Sequence, residues 1–325
     1  MEQGALERTQ PLPQGLYEPC NRAYAIGRVS TNYLVFMSSP IPDWSAISKR
    51  NARSVQTTIG WIFWDPGAVS RYEALGLPAG GGYIASRAAP FSDAGPDALT
   101  DVFGSISPLG ISLVFEVLKT RENFMKFWDA RNEAVLEGLK EFAPSIIEPL
   151  IEFGPLLWNV VPQLPLDNCL FAASHKTLSI PSDSVLSGWH AINFVREWRG
   201  DVHWNITKSK NLTAGEASVL HNAWLGYEGD WLSLSRGNAP ESIDASWKLL
   251  EERGLAVGRA VTKEGLALRQ EIEDETDSKT SIAWELVGYE NAIRFAELFE
   301  PPCVDLLKRV DITAGPNYQP ASRIH

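Results

Sequence analysis

Cysteine is scarce in this sequence, and no long apolar segment is present. Cys20, Cys169 and Cys303 are far apart and lack the spacing of zinc ligands, so they predict neither a disulfide framework nor a structural zinc site. No segment reaches the ~18 uninterrupted apolar residues of a membrane-spanning helix, and the N-terminus lacks the basic start and apolar run of a signal peptide. We therefore expect a cytoplasmic protein that does not enter a membrane.

Positive charge is also in deficit. Lys and Arg total 29 against 40 Asp and Glu, which leaves a net charge of −11. This balance opposes close approach to a nucleic-acid backbone unless the basic residues are gathered on one face. Motifs for cofactors are lacking too, because the run Gly80–Gly82 has neither phosphate-loop pattern and is typical of a flexible turn. We predict no cofactor and no metal.

Apolar residues, by contrast, make up 44% of the 325 positions, and twelve residues are tryptophan. Such a chain can bury the cores of two domains, and most of the tryptophans are expected to lie in them. Helical spacing of apolar residues predicts one helix from Ile111 to Phe142 and another from Ser145 to Val160. Asp65 followed by proline predicts the start of an earlier helix, and the apolar run Tyr33–Met37 predicts a strand.

Local signals are stronger in the second half of the chain. Thr213 and Glu216 form a capping-box pattern that predicts the start of a helix. Pro240 suits the first turn of a helix ending at Arg253, and the apolar residues on both sides of Gly258 favour a short hairpin. Another helix begins at Lys263. With a short helix before Pro240, this order is that of a winged helix-turn-helix.

These patterns predict a mainly α fold with a small β wing, a two-domain helical protein that contains a winged helix-turn-helix. The predicted divisions are an N-terminal extension over residues 1–50, an N-terminal helical domain over residues 51–165, and a winged-helix domain with C-terminal helices over residues 166–325.

Residues 212–277 resemble the winged-helix domain of the MarR family of regulators through LTAGEASVL, LLEERGL and VTKEGLALRQEI. Residues 71–311 are similar to an actinobacterial family of helix-turn-helix proteins through YEALGLPAGGGYIASRAAPF and SGWHAINFVREWRGDVHW, followed by the winged helix. The first resemblance implies DNA binding, and the second carries no settled activity. A histidine often found near the start of that family is absent here, where Thr57 and Thr58 stand.

Charge opposes the DNA-binding expectation. A MarR-like recognition helix would place its residues in the major groove and its wing along the backbone. The predicted recognition helix carries four acidic residues against two basic ones, and these are Glu241, Asp244, Glu251 and Glu252 against Lys248 and Arg253. Carboxylates there repel phosphates. The wing adds only Arg259, and the acidic run between Glu271 and Asp277 predicts a solvated helix face.

Polar chemistry is concentrated between Ser187 and Tyr227. On a helix, the charged and imidazole side chains of this stretch fall on two edges, which are Arg196, Arg199 and His203 on one and His190, Glu197 and Asp201 on the other. One hypothesis is that Arg196 and Arg199 hold an anion while His203, with Asp201, acts as acid or base. The alternative is that the arginines pair with carboxylates of neighbouring helices and that Asp201 caps a break at Gly200.

Further candidates accompany this helix. Arg87 follows a glycine-fed apolar segment and is expected to point into the same crevice. Aromatic side chains of Trp189, Trp204 and Trp224 are expected to line the crevice or the core. His190 and His221 complete the set of predicted ligand-binding residues. A metal site is the weakest hypothesis, because neither His190 with Asp201 nor His203 with His221 has a recognised ligand spacing.

The leading functional hypothesis is a protein that binds a small anionic or aromatic ligand, with catalysis as an open extension, on a winged-helix scaffold with weakened DNA readout. The competing hypothesis is a ligand-responsive, MarR-like transcriptional regulator that binds DNA. A third is an interaction module that uses the winged helix for homodimer contacts.

Overall fold

Helices dominate the part of the chain that the computed structural model describes, residues 41–323. The helices of the first half are α1 (Trp44–Gly60), α2 (Pro66–Ala74), α3 (Ala79–Ala88), α4 (Gly95–Phe103), α5 (Pro108–Leu118), α6 (Arg121–Phe142), α7 (Ile147–Val160) and α8 (Leu170–His175). The elements of the second half are α9 (Ser184–Ser209), α10 (Ala214–Trp224), α11 (Trp231–Ser235), α12 (Pro240–Glu252), β1 (Ala256–Val257), β2 (Ala260–Val261), α13 (Lys263–Thr280), α14 (Ile282–Val287) and α15 (Tyr289–Thr313). The fold is therefore mainly α with a two-stranded sheet.

Side-chain caps explain where several helices begin. Asp65 accepts a hydrogen bond from the amide of Gly67 and precedes Pro66 at the start of α2. Asp183 caps α9 in the same way. The capping box of Thr213 and Glu216 is present in full at the start of α10, as predicted. Capping of this kind satisfies amides that the helix itself leaves free.

The long helix α9 is the centre of the fold and packs against α1, α7, α8 and α13. Its crossing with α7 is close because glycines face each other there. A Cβ atom on Gly188 would lie 2.1 Å from the carbonyl oxygen of Leu150, and one on Gly154 would lie 2.9 Å from the Cα of Gly188. Any larger residue at either position would push the helices apart.

Two hydrophobic cores lie along α9. The larger core is aromatic and contains Trp61, Trp189 and Trp198, each fully buried. A smaller core is formed mainly by α10, α12 and α13, with its members being Ile206, Leu212, Val219, Leu220, Ile243, Trp247, Leu250, Ala256 and Ile272. Val202 packs against both cores, so α9 runs from one to the other.

The order of elements from α10 to α13 agrees with the pattern predicted for the second half. Gly254 follows α12 at a φ of 71°, a backbone conformation that glycine adopts readily. β1 and β2 pair antiparallel, with Val257 opposite Ala260 and Gly258 in the turn at a φ of 56°. Short sequence signals, such as these glycines, were therefore sufficient to predict the order of elements from α10 to α13.

Three predictions of local structure need correction. Gly80–Gly82 lie inside α3 instead of a flexible turn, because a bare Cα at Gly82 accommodates the ring of Tyr72, which a Cβ would meet at 2.3 Å. The helix predicted from Ile111 to Phe142 is two helices, since Lys119 has a φ of 60° and Thr120 caps α6. The helix is continuous at Gly200, so Asp201 caps no break there. The strand predicted at Tyr33–Met37 lies outside the described residues.

Candidate functional site

A pocket with a volume of about 320 Å³ lies beside α9 and is lined by α1, α10 and α13 as well. Its lining is rich in basic side chains, which are Lys49, Arg53, Arg87, Arg196, Arg199, Arg236, Arg269 and Arg323. The lining carboxylates are Glu197, Glu273 and Asp277. Eight cations against three carboxylates leave a surplus of five, whereas the whole chain has a net charge of −11. We call this cavity the arginine pocket.

Glu197 joins two of these arginines at the wall of the pocket. Arg87 donates to it through both Nε (3.0 Å) and Nη2 (2.7 Å), and Arg196 donates through Nη1 (2.5 Å). Burial opposes ionisation of Glu197, but the charges of Arg196 and Arg87 outweigh it and lower the pKa of the carboxyl to about 2. Glu197 thus holds both arginines in place but neutralises only one of their two positive charges.

A second ion cluster joins α9 to α13. Arg199 donates to Oδ1 of Asp277 at 2.6 Å and lies 3.6 Å from Glu273, which also accepts from Arg269. Burial raises the pKa of Asp277 in spite of Arg199. The pKa of Glu273 is lowered, because Arg269, His203 and Arg199 outweigh its burial.

Several donors of the arginine pocket have no acceptor. The guanidinium of Arg236 makes no hydrogen bond or ion pair with any residue that the structure describes. Nε of Arg199 and Nη1 of Arg269 are buried without a partner in the described part of the chain. Burial, together with the charges of Arg269 and Arg87, lowers the pKa of Arg236 to about 10, so it stays cationic at neutral pH. Because the guanidinium of Arg236 lines the cavity without a protein acceptor, the pocket has capacity for an anion.

Two histidines line the pocket without adding charge. Thr276 uses its hydroxyl proton in a hydrogen bond to the carbonyl of Ile272 (2.6 Å), so Nδ1 of His203 must be the donor in its 3.2 Å contact with that hydroxyl oxygen. Burial lowers the pKa of His203 to about 3 and lowers that of His221 well below its usual value. Both are neutral at pH 7, and the positive charge of the pocket comes from arginine and lysine.

The exposed face of α12 and the β1–β2 hairpin, which we call the α12 face, has a different charge pattern. Arg259 of the hairpin donates to Asp230 at 2.5 Å and to Asp244 of α12. Arg253 donates to Glu216 at 3.2 Å and to the carbonyl of Asn211 at 2.8 Å. The two arginines of this face are thus neutralised by the protein's own acceptors, whereas Lys248 of α12 makes no ion pair within the described residues.

Comparison with known proteins places the chain in a family. Residues 48–312 match the model of a helix-turn-helix family. The chain belongs to that family. The match includes every basic and acidic residue of the arginine pocket except Arg323. No curated protein and no solved structure matches the chain.

Six of the residues predicted for the site line the pocket of this helix-turn-helix family member, and these are Arg87, Arg196, Arg199, His203, Trp204 and His221. Trp224 lines it too. The spacing of residues along α9 predicted which of its side chains share a face, because that face depends only on helical geometry. Arg87 was predicted from the local sequence before Pro90.

Three other predicted site residues lie away from the pocket. Trp189 is fully buried and donates to the carbonyl of Thr58 at 2.7 Å. His190 contacts Asn132 at 3.1 Å in the core. Asp201 accepts from the amide of Ala172 at 2.9 Å, near the start of α8, and burial raises the pKa of its carboxyl to about 7. The structure therefore does not bring Asp201 to the face of α9 that bears His203.

Sequence reasoning also missed residues of the pocket. Arg236 and Arg269 carry no motif and come together because α11 and α13 both pack against α10. The prediction of a solvated acidic face on α13 is wrong at Asp277, which is buried, and at Glu273, whose side chain is only 20% exposed. Both carboxylates face α9 because α13 packs along α9 and α1.

Within residues 41–323, no group of three or more His, Cys, Asp or Glu side chains is placed to hold a metal ion. None of the helices in that range is both long and apolar enough to cross a membrane.

Proposed function

We propose that this member of the helix-turn-helix family binds a small anionic ligand in the arginine pocket. The observation that carries the proposal is the surplus of five positive charges among the lining side chains, or four when the pairing of Arg323 with Asp311 is included, around a cavity lined by the unpaired guanidinium of Arg236. Arginine presents paired N–H groups that match the oxygens of a carboxylate or phosphate. A cavity of about 320 Å³ is within the size range of small-molecule sites.

The ion pairs within the pocket leave this capacity intact. Glu197 neutralises one of two arginines that it contacts, and Glu273 and Asp277 face Arg199 and Arg269. Lys49, Arg53 and Arg236 are the lining cations that make no ion pair in the described chain. We assign Arg236 as the centre for the anion, because its burial makes an unpaired charge there costly. A hydrogen bond to a charged group contributes about 1.5–3 kcal/mol.

Isothermal titration calorimetry with benzoate and inorganic phosphate tests this proposal. Arg236→Ala should weaken binding about tenfold or more, which corresponds to the loss of one charged contact at about 1.4 kcal/mol per factor of ten. Arg294→Ala is the control, because Arg294 pairs with Glu152 on the surface and does not line the pocket. Equal affinities in the wild type and Arg236→Ala, or no binding of either anion at millimolar concentration, would contradict the proposal.

A finer description of the scaffold is also a proposal. The order α10, α11, α12, hairpin, α13 supports a MarR-like winged helix, with α12 as recognition helix and β1–β2 as wing. The smaller hydrophobic core, whose residues lie between Ile206 and Ile272, supports a winged-helix unit over that stretch. The larger core joins residues on both sides of residue 165, so the predicted boundary there stays a prediction. The resemblance to an actinobacterial family, a cytoplasmic location and a homodimer remain predictions.

The second candidate function is a ligand-responsive regulator that binds DNA, which family membership favours. In that case the arginine pocket would be the sensor, and α13, which carries Arg269 and follows the hairpin, would couple ligand to DNA. Coupling is reciprocal, so DNA would change benzoate affinity by the same factor that benzoate changes DNA affinity. Fluorescence anisotropy with a labelled duplex, with and without benzoate, decides it. Equal curves, or no DNA binding, exclude regulation through this pocket.

Catalysis by His203 with Asp201 has less support than binding. Asp201 faces α8, and a histidine with a pKa of about 3 takes up a proton weakly at neutral pH. With its proton on Nδ1, neutral His203 can only accept a hydrogen bond at Nε2, so it suits a donor group of a ligand and not the anionic group.

A further inference from the structure

A second cavity, with a volume of about 660 Å³, adjoins the arginine pocket. The two share part of their lining, including Tyr83, Arg196, His221 and Arg236. A ligand bound at Arg236 can therefore extend into the second cavity without leaving the protein surface. We call this second cavity the apolar groove.

One wall of the apolar groove is an exposed hydrophobic stripe on α5. Leu109, Leu113 and Val117 are 68%, 52% and 59% exposed and are spaced by four residues, so they lie on one helix face. Aromatic side chains line other parts of the groove, with Tyr318 packed against both Trp64 and Trp231. Water covers these apolar surfaces when the groove is empty, so a hydrocarbon that displaces it is favoured.

Charge in the groove is confined to its junction with the arginine pocket. Arg196 and Arg236 are the charged residues among the described residues that line it, and both also line the arginine pocket. No carboxylate of the described chain lines the groove. The combined site is cationic at one end and apolar at the other.

We propose that the ligand is an amphiphilic organic anion whose charged group lies at Arg236 and whose hydrocarbon body fills the apolar groove. This inference rests on the proposed function, because it specifies the chemistry of the anion that binds there. Carboxylate and phosphate head groups share the chemistry that arginine recognises. A free inorganic anion would use the arginine pocket alone and leave the stripe on α5 exposed to water.

The test is a calorimetric titration of the full chain with straight-chain carboxylates from acetate to dodecanoate, each below its micelle concentration. Affinity should rise roughly fourfold for each added methylene until the groove is filled, because complete burial of one methylene contributes about 0.8 kcal/mol. Octyl phosphate compared with octanoate distinguishes the head groups. Octanol should bind more weakly than octanoate by tenfold or more, because it lacks the charge that Arg236 attracts.

Two variants separate the groove from the pocket. Leu113→Gln should flatten the dependence on chain length and leave the affinity for acetate, which has no hydrocarbon body to reach the groove, unchanged. Val304→Gln is the matched control, because Val304 is also 52% exposed but lies on α15 outside both cavities. Val117→Gln repeats the test at a second position of the stripe, so that a folding defect in one variant does not decide the outcome.

Binding of benzoate or phosphate with no gain from chain length would overturn this inference and leave the proposed function standing. Failure of every anion to bind would overturn both. If Leu113→Gln changes the oligomeric state in sedimentation velocity while octanoate affinity is unchanged, the stripe binds another copy of the chain instead, and the inference is wrong.

Discussion

The arginine pocket and the α12 face both contain arginines paired with carboxylates, but the balance of charge differs. In the pocket, Glu197 is 2% exposed and serves two arginines, and Arg236 has no acidic partner in the described chain. On the α12 face, Arg259 is 56% exposed and has two acidic partners of its own, Asp230 and Asp244. Positive charge is thus available inside a cavity, whereas the arginines of the α12 face, the surface that we propose would contact DNA, are paired with carboxylates.

The largest effect is expected from removing the buried carboxylate. Glu197→Ala leaves Arg87 and Arg196 side by side without their shared counter-ion, and an uncompensated buried charge costs about 3–5 kcal/mol. The free energy of unfolding, measured by denaturation with urea, should fall by that amount. Asp244→Ala removes a carboxylate paired with arginine on the α12 face that is 54% exposed, and its effect should stay below about 1 kcal/mol.

Equal losses in the two variants would show that the pocket and the α12 face hold their arginines with similar strength. The pH dependence provides a further check on Glu197. Its folded-state pKa of about 2 lies below the unfolded value, so its contribution is present at neutral pH and is lost as the pH falls towards 2. Wild type and Glu197→Ala should therefore converge in stability in acid.

Asp201 is a second buried acid on α9, and unlike Glu197 it makes no ion pair with an arginine in the described chain. Asp201 is one turn from Glu197, but burial raises its pKa to about 7, above the unfolded value of about 3.9. Its stabilising contribution is therefore full below pH ~3.9 and is lost as the pH rises through ~7. Asp201→Asn keeps an oxygen that can accept from Ala172 and should be more stable than wild type at pH 8 by on the order of 2 kcal/mol.

Urea denaturation of both proteins at pH 4 and pH 8 measures this difference, which should be small at pH 4. The variant His203→Gln is the control of opposite sign. The pKa of His203 is lowered to about 3, so its contribution is present above the unfolded value of about 6.5 and is lost as the pH falls. A pH profile of Asp201→Asn parallel to that of wild type would show that folding does not raise the pKa of Asp201.

Local sequence patterns predicted the elements well and the site in part. The cap at Thr213, the proline at Pro240 and the hairpin around Gly258 depend on neighbours within a few residues, and all are present. Helical periodicity likewise placed Arg196 and His203 on one edge of α9. These features need no information about the rest of the chain.

Packing between distant segments could not be predicted in the same way. Trp189 and His190 lie in the core because α1 and α6 cover that face of α9, where Trp189 contacts Thr58 and His190 contacts Asn132. Arg236 follows a helix of five residues and carries no pattern of its own. Its partnerless guanidinium is visible only when α11 is placed beside α9 and α13, since charge surplus is a property of the assembled cavity.

The smallest effect is expected on the α12 face and concerns DNA. Asp244→Lys should release one contact of Arg259 and add a second cation to this surface. If α12 lies against a duplex, non-specific affinity should rise several-fold, and the salt dependence should steepen by about one to two charges. Asp305→Lys on α15 is the matched control, because Asp305 is 51% exposed and makes the same change in net charge.

Anisotropy titrations at several salt concentrations compare wild type with the two variants. A gain in Asp244→Lys alone would place the DNA contact on α12 and show that its own acids weaken it. Equal gains in both variants would mean that net charge, reduced in magnitude from −11, governs attraction to DNA. If the wild type binds DNA tightly and Asp244→Lys binds it equally well, the α12 face binds phosphates despite its carboxylates. The arginine pocket and the α12 face would then not differ in their availability of positive charge.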